Sequence, residues 1–246
     1  MRDLVYPPVI VFARGVFRAL GLRFAIEGTE NLPRAGGVVL ASNHLGYLDF
    51  AFCGLAARER GRLVRFLCKD SVFDHWLGGP LMRGMHHIPV DRAAGTGAFR
   101  DSVRMLRAGE VVGLFPEATI SRSFTVKELK NGAVRMAAAA GVPLVPMAVW
   151  GSQRVWTKGR SRDWSRGKAI TMVVGEPMTP GKRDDHEAAT RELARRMSSL
   201  LDGLQRGYPD RPSGPEDSWW LPAHLGGTAP TPEEAAALDV RERPGR

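Results

Sequence analysis

Cysteine is nearly missing from this chain: Cys53 and Cys68 are its only two. They are too few for a disulfide framework and lack the spacing of a zinc site, so both read as buried thiols in a reducing compartment. Also missing is an uncharged apolar run of the ~18 residues that cross a bilayer. The longest candidate, Val9 to Phe24, is broken by Arg14, Arg18 and Arg23. The N-terminus lacks the basic start, unbroken apolar stretch and small-residue cleavage site of a secretory signal, which points to the cytoplasm. No internal repeat or collagen-like pattern is present. With 43% hydrophobic and 25% charged residues among 246, wholesale disorder is excluded. The length fits one large α/β domain or two small ones.

Acidic residues are in deficit. Lys and Arg number 35 against 26 Asp and Glu, a net charge of +9, which suits phosphate-bearing partners. Nearly all of the excess lies between Ile120 and Lys168, where ten basic residues face Glu128 and Asp163 alone. Within that stretch, Gln153 to Lys168 interleaves cations with Trp156 and Trp164. Alone it could suggest single-stranded nucleic acid; it also suits an anionic membrane interface.

Short apolar runs alternate with helical patterns, the signature of an α/β sheet. Strands are expected at 37–41, 63–68, 87–90, 111–115, 144–149 and 170–174. Helices are expected at 50–60, at 98–107 stopped by Gly109, at 133–140 stopped by Gly141, and near 184–205. The expected architecture is a mostly parallel mixed sheet flanked by helices, with its domain at 31–208. Residues 8–24 form a helix that lies at a membrane interface with its arginines toward lipid phosphates, or packs as an ordinary core helix; 1–30 is the corresponding segment. From Pro209 the chain turns Pro-rich and acidic, a C-terminal extension over 209–246 pinned by Trp219, Trp220 and Leu221.

The first site candidate follows a strand: Asn43, His44 and, five residues after the histidine, Asp49. On a regular helix the two side chains would point about 140° apart. Gly46 lets the chain turn instead, so that Asp49 can orient one imidazole nitrogen and leave the other to take a proton from a hydroxyl. The plainer alternative is a histidine in a turn and an aspartate capping a helix. A metal site is disfavoured, because His86 and His87 on one strand would face opposite ways.

Other segments make the pattern specific. Asn43-His44-x4-Asp49, Ile88-Pro-Val-Asp-Arg92, Phe115-Pro-Glu117-Ala118-Thr119 and Val145-Pro-Met147 occur in this order. Together they resemble the four motifs of the glycerolipid acyltransferase family, which makes phosphatidic acid from lysophosphatidic acid. The resemblance implies that His44 is the general base and Asp49 its orienter. It implies that Arg92, Lys69 and Arg122 serve the acceptor's phosphate, with Asn43, Glu117 and Thr119 lining the substrate site; Glu117 would hold the glycerol portion or Arg92. It further implies acyl-CoA or acyl carrier protein as donor, lysophosphatidic acid as acceptor, an anionic membrane surface as partner, and no cofactor, metal or nucleic acid. The location implied is cytoplasmic, peripheral on the inner face of the cell membrane. Two departures stand out: Ala118 and His86 replace common glycines, and glycine alone tolerates positive φ freely. The Ala118 loop is therefore expected to be locally different or unstrained. Rival readings are the same chemistry on glycerol 3-phosphate or a lipid-linked sugar, and a noncatalytic binder of anionic membrane or nucleic acid.

Overall fold

The computed structural model describes residues 3–91 and 96–242. Seven strands form one sheet: β1 (Arg23–Glu27), β2 (Val38–Ser42), β3 (Val64–Lys69), β4 (Ile88–Val90), β5 (Val111–Leu114), β6 (Leu144–Trp150) and β7 (Ala169–Val174). Their order is β1-β7-β6-β2-β5-β3-β4. Every pairing is parallel except that of β6 with β7, where Met147 lies opposite Val174.

Both faces of the central sheet are covered, so β2, β5 and β6 are buried at every position and almost wholly apolar, as buried parallel strands must be, whereas the edge strand β1 is largely exposed. Alternation along β2 shows the division. Val38 and Leu40 enter a core with Phe17, Phe52 and Met172, beneath α1 (Tyr6–Ala19) and α2 (Asp49–Arg58). Val39 and Ala41 enter the opposite core with Val134, Leu193 and Met197, beneath α4 (Thr96–Arg107), α5 (Gly132–Ala140) and α6 (His186–Arg206), with α3 (Gly78–Gly84) between β3 and β4. From β2 the chain crosses through α2 toward β3, whereas from neighbouring β5 it crosses through α5 toward β6 on the other side. Adjacent strands thus send their chains to opposite faces, which opens a crevice at their carboxyl ends.

The strand and helix expectations hold in type, with three additions. The segment expected as one helix over 8–24 divides: α1 ends at Ala19, Gly21 turns with φ of 58°, and β1 follows, its Arg23 opposite Ala169 of β7. A boundary at residue 30 would therefore cut through the sheet. The second is α3. The third is α7 (Pro232–Arg241) in the extension, where Thr231 accepts from the Glu234 N–H and Glu234 returns the bond, with Pro232 in the first turn. That capping box was present in the letters Thr-Pro-Glu-Glu. The extension is pinned by Trp220, which is buried with Trp150, Leu201 and Tyr208.

Candidate active site

The loop after β2 opens into the crevice, and Asp49 organises it. Asp49 is the first residue of α2 and is 0% exposed. Its Oδ2 accepts from the Leu45 N–H at 2.6 Å, the Gly46 N–H at 2.8 Å and His44 Nδ1 at 2.9 Å. One oxygen thus shapes the loop and aligns the imidazole, and the positive end of α2 favours the charge. Gly46 is required for close approach: a Cβ there would come within 2.9 Å of the Trp156 carbonyl oxygen. The His44 side chain is 21% exposed. Its ring stacks on Phe115, centroids 4.1 Å apart and planes 14° apart. With Nδ1–H donated to Asp49, Nε2 is the nitrogen left with a lone pair.

The Phe115–Thr119 turn holds the histidine's backbone. Glu117 is 5% exposed; its Oε1 accepts from the His44 N–H at 2.9 Å and its Oε2 from the Lys127 N–H at 3.0 Å. The His44 carbonyl accepts from the Ser121 N–H at 2.8 Å. Burial pushes the Glu117 carboxyl up to about 8 against the pull of those two N–H donors. Each oxygen already serves a backbone amide, so Glu117 joins two loops. Ala118 adopts φ of 60° and His86 φ of 57°. The expectation of a different or unstrained loop at Ala118 is corrected: the left-handed conformation is kept, with alanine in it.

The other expected residues scatter. Asn43 is fully buried and its amide is spent on β6: Nδ2 donates to the Val149 carbonyl at 3.0 Å and Oδ1 accepts from the Val149 N–H at 2.8 Å. It splays nothing toward a ligand; it ties β2 to β6. Lys69 ends β3 with its side chain exposed, and Thr119 is half-buried in its turn. Arg92 lies outside the described residues. Arg122 is ion-paired with Asp239 and Glu242 of the extension. Cys53 and Cys68 are free thiols whose burial pushes them up to about 12 and about 11.

The basic loop between β6 and β7 is also consumed more than its composition suggests. Lys168 pairs with Asp163 at 3.0 Å. Arg154 pairs with Asp210 and lies 4.5 Å over the Trp220 ring. Trp156 packs 4.5 Å from Tyr47 and under Arg162 at 4.1 Å. This loop supports the catalytic turn: Thr157 Oγ1 donates to the Leu45 carbonyl at 2.6 Å, and the Tyr47 N–H donates to the Trp156 carbonyl at 3.0 Å. Nothing in the sequence signals Thr157. Phe115, by contrast, stood in a quoted motif, though its stacking role did not.

An apolar groove of about 250 Å³ runs between α1 and α2, lined by Tyr6, Phe12, Val16, Leu48, Leu55 and Trp164 among others. Leu48, which lines the groove, immediately precedes Asp49 in the chain.

A family model described as Acyltransferase matches residues 23–150. A Bacillus subtilis protein named 1-acyl-sn-glycerol-3-phosphate acyltransferase is 30% identical over 199 residues, covering 76% of this chain and 94% of that protein. An Arabidopsis thaliana chloroplastic protein of the same name is 28% identical over 65% of this chain, which spans 44% of the plant protein's length. Among solved structures, the 1-acyl-sn-glycerophosphate (LPA) acyltransferase PlsC from Thermotoga maritima has the same fold, with a TM-score of 0.68 at 21% identity over 83% of this chain and 81% of that one.

Proposed function

The chain belongs to the acyltransferase family, and from that premise we propose that it moves a fatty acyl group from a thioester of coenzyme A or acyl carrier protein to the free hydroxyl of 1-acylglycerol 3-phosphate, giving phosphatidic acid. The observation that carries this reading is the 2.9 Å bond from His44 Nδ1 to Asp49 Oδ2 in a ring that stays partly open to solvent. Asp49 keeps the proton on Nδ1, and Nε2 takes the hydroxyl proton as the alcohol oxygen bonds to the thioester carbonyl carbon. The carbon–sulfur bond then breaks, and the imidazolium returns its proton to the departing thiolate. Asp49 stabilises the imidazolium between these steps without itself being protonated. No acyl-enzyme is required; of the two cysteines expected as buried thiols, Cys53 is buried and Cys68 half-buried.

The acceptor's phosphate falls to Arg92, which stands in the second motif, and to Lys69, the exposed residue that ends β3. Asn43, Glu117 and Thr119 hold the site's loops. The apolar groove beside Leu48 suits an acyl chain. Substrates of this kind partition into a bilayer, and α1 presents Val11 and Phe12 outward at 71% and 74% exposure with exposed Arg14 and Arg18. That pattern suits a helix lying in the headgroup layer, so the enzyme works at the inner face of the cell membrane. Among the described residues no helix is long and apolar enough to cross a membrane.

The test is release of thiol from acyl-CoA and acyl carrier protein thioesters by the purified protein with lysophosphatidic acid, glycerol 3-phosphate or no acceptor. Acyl transfer to lysophosphatidic acid is expected, and its abolition in His44→Ala. Transfer at the wild-type rate by that variant would remove the mechanism; inertness toward lysophosphatidic acid with activity on another acceptor would remove the substrate.

A further inference from the structure

The charge of the basic segment converges at one point. Arg122, Lys127 and Lys158 surround the end of α7: Lys127 Nζ lies 2.5 Å from Asp239 Oδ2, and Lys158 Nζ lies 2.7 Å from Asp239 Oδ1 and 3.1 Å from Glu242. Arg122 pairs with Glu242, while its Nε makes no hydrogen bond and faces Asp239 at 3.6 Å. Three cations thus meet two carboxylates, and one positive charge is left over.

Two features show that the carboxylates are held there by the cations and little else. Asp239 is in the last turn of α7 and Glu242 caps it, the end of a helix where negative charge is unfavourable. A ten-residue helix is also marginal by itself, and α7 fully buries only Ala235. Its attachment is therefore chiefly electrostatic, and such attachments yield to a competing anion. The cluster also touches the catalytic turn. The Lys127 N–H bonds Glu117, which bonds the His44 N–H; Thr157, beside Lys158, bonds the Leu45 carbonyl.

We propose that Arg122, Lys127 and Lys158 form a binding site for a phosphate group, and that Asp239 and Glu242 are its built-in competitors, so that α7 is a displaceable strap beside the crevice. Arginine supplies a planar fork for two phosphate oxygens and the lysines add point charges. The phosphate could be carried by a lipid headgroup or be free in solution. Only the lipid arm rests on the acyl-transfer reading.

The experiment compares wild type with Asp239→Asn/Glu242→Gln in the full chain. Inorganic phosphate is titrated calorimetrically at low ionic strength, and co-sedimentation is measured with phosphatidylcholine vesicles containing or lacking lysophosphatidic acid. The double variant is expected to bind inorganic phosphate about tenfold more tightly, and adding Lys158→Ala should cancel the gain. A gain on lysophosphatidic acid vesicles alone makes the site one for headgroups and supports the proposal in that form. No gain in either arm overturns it, as does a gain that survives Lys158→Ala. Should the double variant melt early, Glu242→Gln alone carries the test, since that side chain is half-exposed. Anion binding is read without turnover. A protein that shows the gain but never transfers acyl groups refutes the proposed function and leaves this site standing; one that transfers acyl groups without the gain does the reverse.

Discussion

The catalytic turn and the basic face beside it both hold buried or half-buried charge, but they neutralise it by opposite means. In the turn, Asp49 Oδ2 and both Glu117 oxygens accept from N–H groups at 44, 45, 46 and 127 and from one imidazole, while Asp49 Oδ1 is buried without a hydrogen bond. On the basic face, cations at 122, 127, 154 and 158 are satisfied by carboxylates at 210, 239 and 242. The first network is built mostly from neighbouring residues and fixed backbone; the second joins side chains some hundred residues apart. Backbone donors cannot move away without unfolding the loop, whereas long side chains can exchange partners. The turn is accordingly the rigid region and the strap the adjustable one.

The largest expected effect tests whether the turn is a working site. Replacing His44 with alanine should lower kcat/KM for acyl transfer by roughly 10²–10⁴, and Asp49→Ala should cost as much or more, because the Leu45 and Gly46 N–H groups lose their acceptor. Retention of activity in Asp49→Ala with an intact fold would break the comparison at its first term.

Next is Glu117→Gln. One amide NH₂ must then face a backbone N–H, at His44 or at Lys127, and the unpaired groups should cost about 1–3 kcal/mol of stability. A denaturant midpoint equal to the wild type's would show that the two loops do not share this carboxylate.

The two regions should also titrate in opposite senses. Burial raises Glu117 from 4.5 to about 8, so its contribution is full below pH 4.5 and is lost as pH rises through 8. Hydrogen bonds from Arg122 and Lys158 lower Glu242. Burial pushes Asp239 up, but Lys127 and Lys158 outweigh it and leave it lowered. Those contributions are present above the ordinary carboxylate values and vanish as pH falls below them. Hydrogen exchange should show residues 115–127 loosening toward pH 9 and α7 loosening only in acid. Simultaneous release at one pH would erase the distinction. A buried histidine gives an internal control: burial lowers His87 from 6.5 to about 4, where its Nδ1 accepts from the Phe66 N–H at 3.0 Å. Its stabilisation is present above pH 6.5 and lost as pH falls toward 4.

Ala118→Gly is expected to raise stability by about 1 kcal/mol, since it removes the penalty of a left-handed alanine; a melting temperature that falls would show that the alanine methyl packs usefully. Smallest is the effect of salt. Raising ionic strength from about 0.01 M to 1 M shortens screening from roughly 30 to 3 Å, so α7 should exchange faster while the catalytic turn is unchanged.

How legible each region was follows the same division. His44 and Asp49 are five residues apart with a glycine between them, and their meeting required only a local turn. All six expected strands and all four expected helices could be read because burial on both faces and helical periodicity are written in consecutive residues. Where the pattern misled, a distant partner decided: Arg23 and Phe24 look like the end of an apolar helix until β7 offers them an edge. Asn43 stands beside His44 in the motif, yet its amide turns to Val149, more than a hundred residues away. Arg122 carried the right charge for a phosphate, but nothing near it in sequence announced Asp239 or Glu242.

The sequence by itself determined the α/β alternation, the histidine–aspartate spacing, the glycine that lets them meet and the capping box that starts α7, because each depends on residues a few positions apart. Only the tertiary structure decided which cations are already paired, that Glu117 braces two loops, and that left-handed backbone persists at Ala118. Those outcomes depend on which surfaces burial brings together, and a linear pattern records the charges without recording their partners.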